Sequence, residues 1–143
     1  MKRAALGLAA VGLMFGGTVA AAPTSSVTGT FPRFASVGAE FSGGKYKFNR
    51  PGVKHGAFEW SGRLTDTSTR DGNNVYVEVK VQGHDWVRHY GKQGRAVWLH
   101  KLSWDGAQRY TAKVMIRVCR DRGAIRPNNC AATYAYSHEW DRG

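Results

Sequence analysis

Acid is what this chain has least of. Ten aspartates and glutamates stand against 21 lysines and arginines in 143 residues, a formal net charge of +11. That balance makes polyanions the natural partners to consider. Cysteine is nearly absent too, with two residues that are too few for a structural zinc site and too far apart for a redox CxxC pair. After the first two dozen residues, no apolar run approaches the roughly 20 residues that a bilayer span requires. There is no amphipathic helix longer than a turn or two and no internal repeat. No P-loop, nucleophile elbow or HExxH occurs, and Ser, His and Asp never fall into a recognisable catalytic frame.

Apolar material is plentiful. A content of 42% hydrophobic and 12% aromatic residues supplies one real core and excludes disorder as the main reading, despite 18 glycines. Lys2 and Arg3, the apolar run Ala4 to Phe15 and the small residues Gly16 to Ala22 follow the three-part layout of a secretory signal, with cleavage expected before Ala22. Loss of residues 1–21 leaves 19 cations against 10 acids, a net +9. No cysteine closes the apolar run to take a lipid. The expected product is a secreted, extracellular single domain, with 22–56 forming edge strands and loops and 57–143 the main part. In an oxidising compartment Cys119 and Cys130 are expected to pair.

From residue 57 the pattern has period two. Phe58, Trp60 and Leu64 alternate with Glu59, Ser61, Arg63 and Thr65, and Val75, Val77, Val79 and Val81 alternate with Tyr76, Glu78 and Lys80. Half-buried strands read this way. Further alternation covers 96–102, 110–118 and 131–139, and Asp71-Gly72 and Asn73-Asn74 mark a turn.

Two local signals predict register. Asp105-Gly106 is a favoured two-residue hairpin pair, which would set Val97 opposite Val114. A cross-strand Cys119–Cys130 bridge would set Ile116 opposite Thr133 and Val114 opposite Ala135. Together they predict a three-stranded sheet with Val97, Leu99, Ala112, Val114, Ile116 and Val118 on one face. Trp98, Lys113 and Tyr136 would form a row on the other, with Tyr134, Met115 and Arg117 nearby. Two readings of that face stand open: a second buried face under the aromatic-rich N-terminal segment, or a binding platform.

The candidate binding residues are therefore Trp98, Tyr134 and Tyr136 for stacking and Lys113, Arg117, Arg122 and Arg126 for charge, the last two in the disulfide loop 120–129. Basic residues also interleave with aromatics from Trp86 to Tyr110, including Arg88, Lys92, Arg95, Lys101 and Arg109, a mixture suited to single-stranded nucleic acid or sugars. Weaker acid–base candidates are His84 with His89, and His100 with His138, which the expected register places on one face two strands apart. Glu59, Glu78 and Glu139 read as solvated. No metal site and no cofactor are expected.

The Ala- and Gly-rich leader, the Val75-Tyr76-Val77-Glu78-Val79 strand and the Val118-Cys119-Arg120-Asp121 segment closed by Asn128-Asn129-Cys130 resemble small secreted β-sandwich proteins of high-GC Gram-positive bacteria. That resemblance implies a β-sandwich and an extracellular location and carries no catalytic residue. The sequence thus predicts an all-β antiparallel sandwich or partly open barrel of six to eight strands, stapled by one disulfide. The expected function is non-enzymatic binding of an anionic polymer or cell-surface component by a monomer without a membrane span. A small nuclease-like hydrolase or toxin, and an interaction or inhibitor domain that inserts loop 120–129 into a target, are the alternatives.

Overall fold

A computed structural model describes residues 25–140; the expected leader lies outside them. Two antiparallel five-stranded sheets pack over one core. The first, sheet A, has the order β1 (Val27–Thr30), β3 (Ala39–Phe48), β4 (Phe58–Asp66), β7 (Ala96–Ser103), with β2 (Phe34–Ser36) also pairing to β3. The second, sheet B, has the order β10 (Tyr134–Ser137), β8 (Lys113–Asp121), β5 (Asn74–Val81), β6 (Val87–Tyr90), with β9 (Asn129–Cys130) pairing to β8. The all-β class with one disulfide holds. There are more strands than expected because β2 and β9, three and two residues long, are too short to show alternation.

Alternation decides which side of each strand is buried. Phe58, Trp60 and Leu64 of β4 and Val75, Val77, Val79 and Val81 of β5 all point into the core. In β3 a bulge interrupts the alternation between Ser42 and Lys45. Gly43 takes φ +62°, and Gly44 turns inward against Phe31 and Phe41, where an added Cβ would sit 2.6 Å from the Phe31 ring. The extra residue re-phases the strand. Tyr46 and Phe48 therefore join the core side, and Lys45 and Lys47 join Ser42 and Glu40 on the outer face of sheet A.

The expected hairpin between β7 and β8 does not form. β7 pairs with β4 and β8 with β5, so the two strands lie in opposite sheets. Residues 104–112 cross between the sheets as an arch that Asp105 and Gly56 hold in place. The Asp105 carboxylate accepts from the Ala107 amide at 2.9 Å, and the Thr111 amide donates to the Gly56 carbonyl at 2.8 Å. Gly56, at φ +61°, has the Arg109 carbonyl oxygen only 2.3 Å from where a Cβ would stand, so the arch can pass there only over a glycine. Asp105-Gly106 is a turn, but a turn within the arch.

Register on the other side slips by one. The Cys119–Cys130 bridge forms as expected between paired residues of β8 and β9. Beyond it, however, Tyr134 lies opposite Ile116 and Tyr136 opposite Val114. A single-residue shift turns every side chain over. Tyr134 and Tyr136 therefore face inward, where Tyr134 stacks on Phe34 at 4.5 Å and Tyr136 meets Tyr46 at 4.7 Å and Phe31 at 5.3 Å. The N-terminal aromatics do cover these two tyrosines, at the edge of the sandwich.

Candidate binding face

Four strands build the outer face of sheet A in rows. Arg63 of β4 lies opposite Trp98 of β7 and Ser42 of β3. The next row is Thr30, Lys45, Ser61 and His100, and the one after it Thr28, Lys47, Glu59 and Leu102. Neighbouring strands stand about 4.8 Å apart and successive outward rows about 7 Å, so these side chains share one patch. Trp98 is 61% exposed there. Beside it a shallow groove of about 360 Å³, lined also by Gly29, Tyr46 and Trp60, runs between Thr28, Thr30, Lys45, Lys47, Glu59, Ser61 and His100.

Charge on this face is distributed unevenly. Lys54 donates to both Glu59 carboxylate oxygens at 2.8 and 2.9 Å, His100 Nε2 meets Glu59 Oε1 at 2.8 Å, and the Asn49 amide donates to Oε2 at 3.2 Å. The Lys54 hydrogen bonds, helped by His100 and Asn49 against the cost of burial, hold the Glu59 pKa down to about 2. Glu59 is therefore a fixed, ionised acceptor at the groove floor and not the solvated carboxylate expected. By contrast, among the described residues no ion pair engages Lys45, Lys47 or Arg63. Their charge is available to a ligand.

The outer face of sheet B is arranged the opposite way. Glu78, also expected to be solvated, is 3% exposed because the Arg117 guanidinium binds Oε1 at 2.5 Å and Arg88 approaches Oε2 at 3.5 Å. Arg117 lies over the Trp86 ring and Arg88 over Tyr76, each at 4.5 Å. The result is a stack in which one carboxylate engages both cations internally. Glu78 also lies close to both cysteine sulfurs, but these are bonded to each other and offer no thiolate to a metal.

The remaining expected site residues are dispersed. Lys113 is exposed on sheet B beside Lys80, facing away from Trp98 on sheet A, so the predicted Trp98–Lys113–Tyr136 row does not exist. Arg122 and Arg126 flank the tip of the 122–128 loop, where Ile125 is 98% exposed. Asn128 braces that loop: its side chain accepts from the Arg122 amide at 2.8 Å and donates to the Tyr76 hydroxyl at 2.9 Å. The histidines are likewise separate. His100 binds Glu59, while His138, just past the end of β10, packs edge-on to Trp140 at 4.5 Å and near Phe48. His84 pairs with Asp105 at 2.9 Å. His89 points inward against Trp60, and burial together with nearby Lys101 lowers its pKa. His84 and His89 do line one small cleft of about 220 Å³ with Val87, Leu102 and Trp104, at the mouth between β6 and β7.

No family model, no curated protein and no solved structure matches this chain. Its own geometry must carry the functional reading. Lys45, Lys47 and Arg63 escaped sequence reasoning because they join Trp98 only through the β3 bulge and the β4–β7 pairing. The alternation of Glu59, Ser61 and Arg63 was the one local signal of an outward row. Among the described residues no helix is long and apolar enough to cross a membrane.

Proposed function

We propose that this protein is a non-enzymatic extracellular binding module that holds an anionic polymer against the outer face of sheet A. One observation carries the reading: Trp98 stands exposed directly opposite Arg63, on a face where Lys45 and Lys47 also keep their charge unpaired. An exposed indole contributes stacking area and the neighbouring cations neutralise the chain that lies on it. The nuclease-like alternative has less support from His100 and His138, since the first is engaged by Glu59 and the second packs on Trp140. The disulfide suits an oxidising compartment.

A salt titration tests this. Binding of the oxidised protein to immobilised polyanions is followed from low salt to about 0.5 M, where charges separated by more than a few ångströms are screened. Trp98→Ala should weaken binding about tenfold, an effect that persists at high salt, and Arg63→Ala should lower the salt slope by about one. Both residues are exposed, so thermal stability should stay within about 0.5 kcal/mol of wild type. Binding that ignores both substitutions and vanishes with salt would reduce the interaction to net charge alone.

A further inference from the structure

We infer that the free edge of β7 receives an added β-strand, an extended acidic segment of a partner polypeptide. This goes beyond the polymer reading and concerns a different surface, the margin of sheet A and not its outer face. The Asp66 amide donates to the Arg95 carbonyl at 3.1 Å, and that bond sets the phase of the β4–β7 ladder. Val97, Leu99, Lys101 and Ser103 therefore turn their backbone groups towards β4, and Ala96, Trp98, His100 and Leu102 turn theirs away. Among the described residues no backbone partner takes the second set. Free pairs recur about every 7 Å along this edge, the repeat of another polypeptide strand. The other margin strands β1, β6 and β10 have four residues each, whereas β7 has eight, in unbroken register with β4 and without a proline. Of the devices that blunt an edge it keeps one, the charge of Lys101.

Beneath that edge the sandwich ends one strand short. Val87 faces inward from β6 beside Val79 and is nevertheless 55% exposed. His89, inward as well, has a buried Nε2 with no hydrogen-bond partner among the described residues. These two, with Val81, Leu102 and Trp104, border the cleft of about 220 Å³, which has room for one large apolar side chain. Of the eight large apolar residues described as exposed, Val87, Tyr90, Trp98, Leu102 and Trp104 belong to β6, to β7 or to the position just after β7. A strand laid along β7 would send alternate side chains into this cleft and cover Val87. Charge decides which strand. On β7 itself Lys101 is the only full charge, and the acid of the cleft lining, Asp85, belongs to the β5–β6 turn. Lys101 points inward at the cleft mouth, close enough to add to the burial that lowers the His89 pKa, and among the described residues no ion pair engages it. A second copy laid on β7 would set Lys101 against the same edge of another chain of net charge +11. A carboxylate on the incoming strand pairs with it instead, so the lysine that deters self-pairing selects an acidic partner.

The experiment titrates the whole oxidised chain with three capped peptides: Thr-Leu-Thr-Asp-Thr-Leu-Thr-Asp-Thr, the same peptide with lysine for aspartate, and the first peptide with its threonines N-methylated. With leucine and aspartate turned inward, the threonines carry the hydrogen bonds to β7. Amide exchange is followed residue by residue by NMR. The aspartate peptide should slow exchange at Ala96, Trp98, His100 and Leu102 and change little at Val97, Leu99 and Lys101, which already bond to β4; protection of alternate residues is the mark of an added strand. The lysine peptide should bind about tenfold more weakly, and the N-methylated one should protect nothing. Lys101 is exposed. Lys101→Glu should therefore keep the near-UV circular dichroism of the wild type and reverse the preference between the two charged peptides, and the milder Lys101→Gln should bind both alike. Protection spread evenly along β7, or none with any peptide, would overturn strand addition. An aspartate peptide that binds Lys101→Glu and Lys101→Gln as tightly as wild type would overturn the acidic partner. Alternate protection that is present without peptide and grows with protein concentration would give the edge to a second copy and overturn the proposal as well.

Discussion

Glu59 and Glu78 occupy equivalent positions, outward on central strands, and the cations around them make them different. Glu78 is sealed between Arg117 and Arg88, whereas Glu59 is held by buried Asn49 and by Lys54 and His100, both of them exposed. Their fates could not be read from alternation, which reports only which face a side chain takes. The partners come from other strands: Arg117 lies 39 positions from Glu78, and His100 lies 41 from Glu59. Acid sensitivity follows for Glu59. Its folded pKa of about 2 lies below the ordinary value of 4.5, so its ionised form stabilises the native state fully above about pH 4.5. That contribution is lost as pH falls from about 4.5 towards 2. Chemical denaturation at several pH values should show wild type exceeding Glu59→Gln in stability at pH 7, with the gap closing across that window. A gap that stays constant down to pH 2 would mean Glu59 is not held by Lys54 and His100.

Strands β4, β5, β7 and β8 were legible because their apolar residues recur every second position, and their inward faces are as expected. Their neighbours were not. Asp105-Gly106 has the chemistry of a hairpin turn, but the long arch around it is fixed by a contact with Gly56, far away in sequence. Likewise the disulfide set the β8–β9 register correctly, and the residues between Cys130 and Tyr134 then advanced β10 by one position. Turn signals act over a few residues, while strand partners are chosen by the whole core. The disulfide matters most at this scale, since it closes an 11-residue separation around a strand pair of only two residues. A Cys119→Ser, Cys130→Ser double variant should lose about 2–3 kcal/mol by the loop-entropy account. Amide exchange should quicken from 120 to 130 and stay slow in β3 and β4. Uniform loss of protection would show that the bridge holds the sandwich rather than the loop.

Across the whole molecule, the two ends of the described chain meet. Phe31 and Phe34 near the start pack on Tyr134 and Tyr136 near the finish, and the sandwich closes along that seam. The aromatic content of 22–56 hinted at this covering role, and the register slip hid which residues it covers. A chain that begins at Val37 loses β1, β2 and both phenylalanines. Two buried aromatics are worth about 3–5 kcal/mol each when deleted, a large part of a small domain's total stability. Such a chain should show no cooperative thermal transition and no near-UV signal; a two-state melt would show that the seam is dispensable.

The arch between β7 and β8 also sets an order of events during synthesis. Every strand of sheet A has emerged once Ser103 is out, but sheet B still lacks β8, β9 and β10, so only the β5–β6 hairpin can lie over the inner face of sheet A. For the last third of its emergence the chain therefore carries the Phe41, Trp60 and Leu64 surface incompletely covered. The final strand delivers the tyrosines that latch onto the first phenylalanines, which makes the nascent chain vulnerable to clumping and clipping until its C-terminal residues arrive.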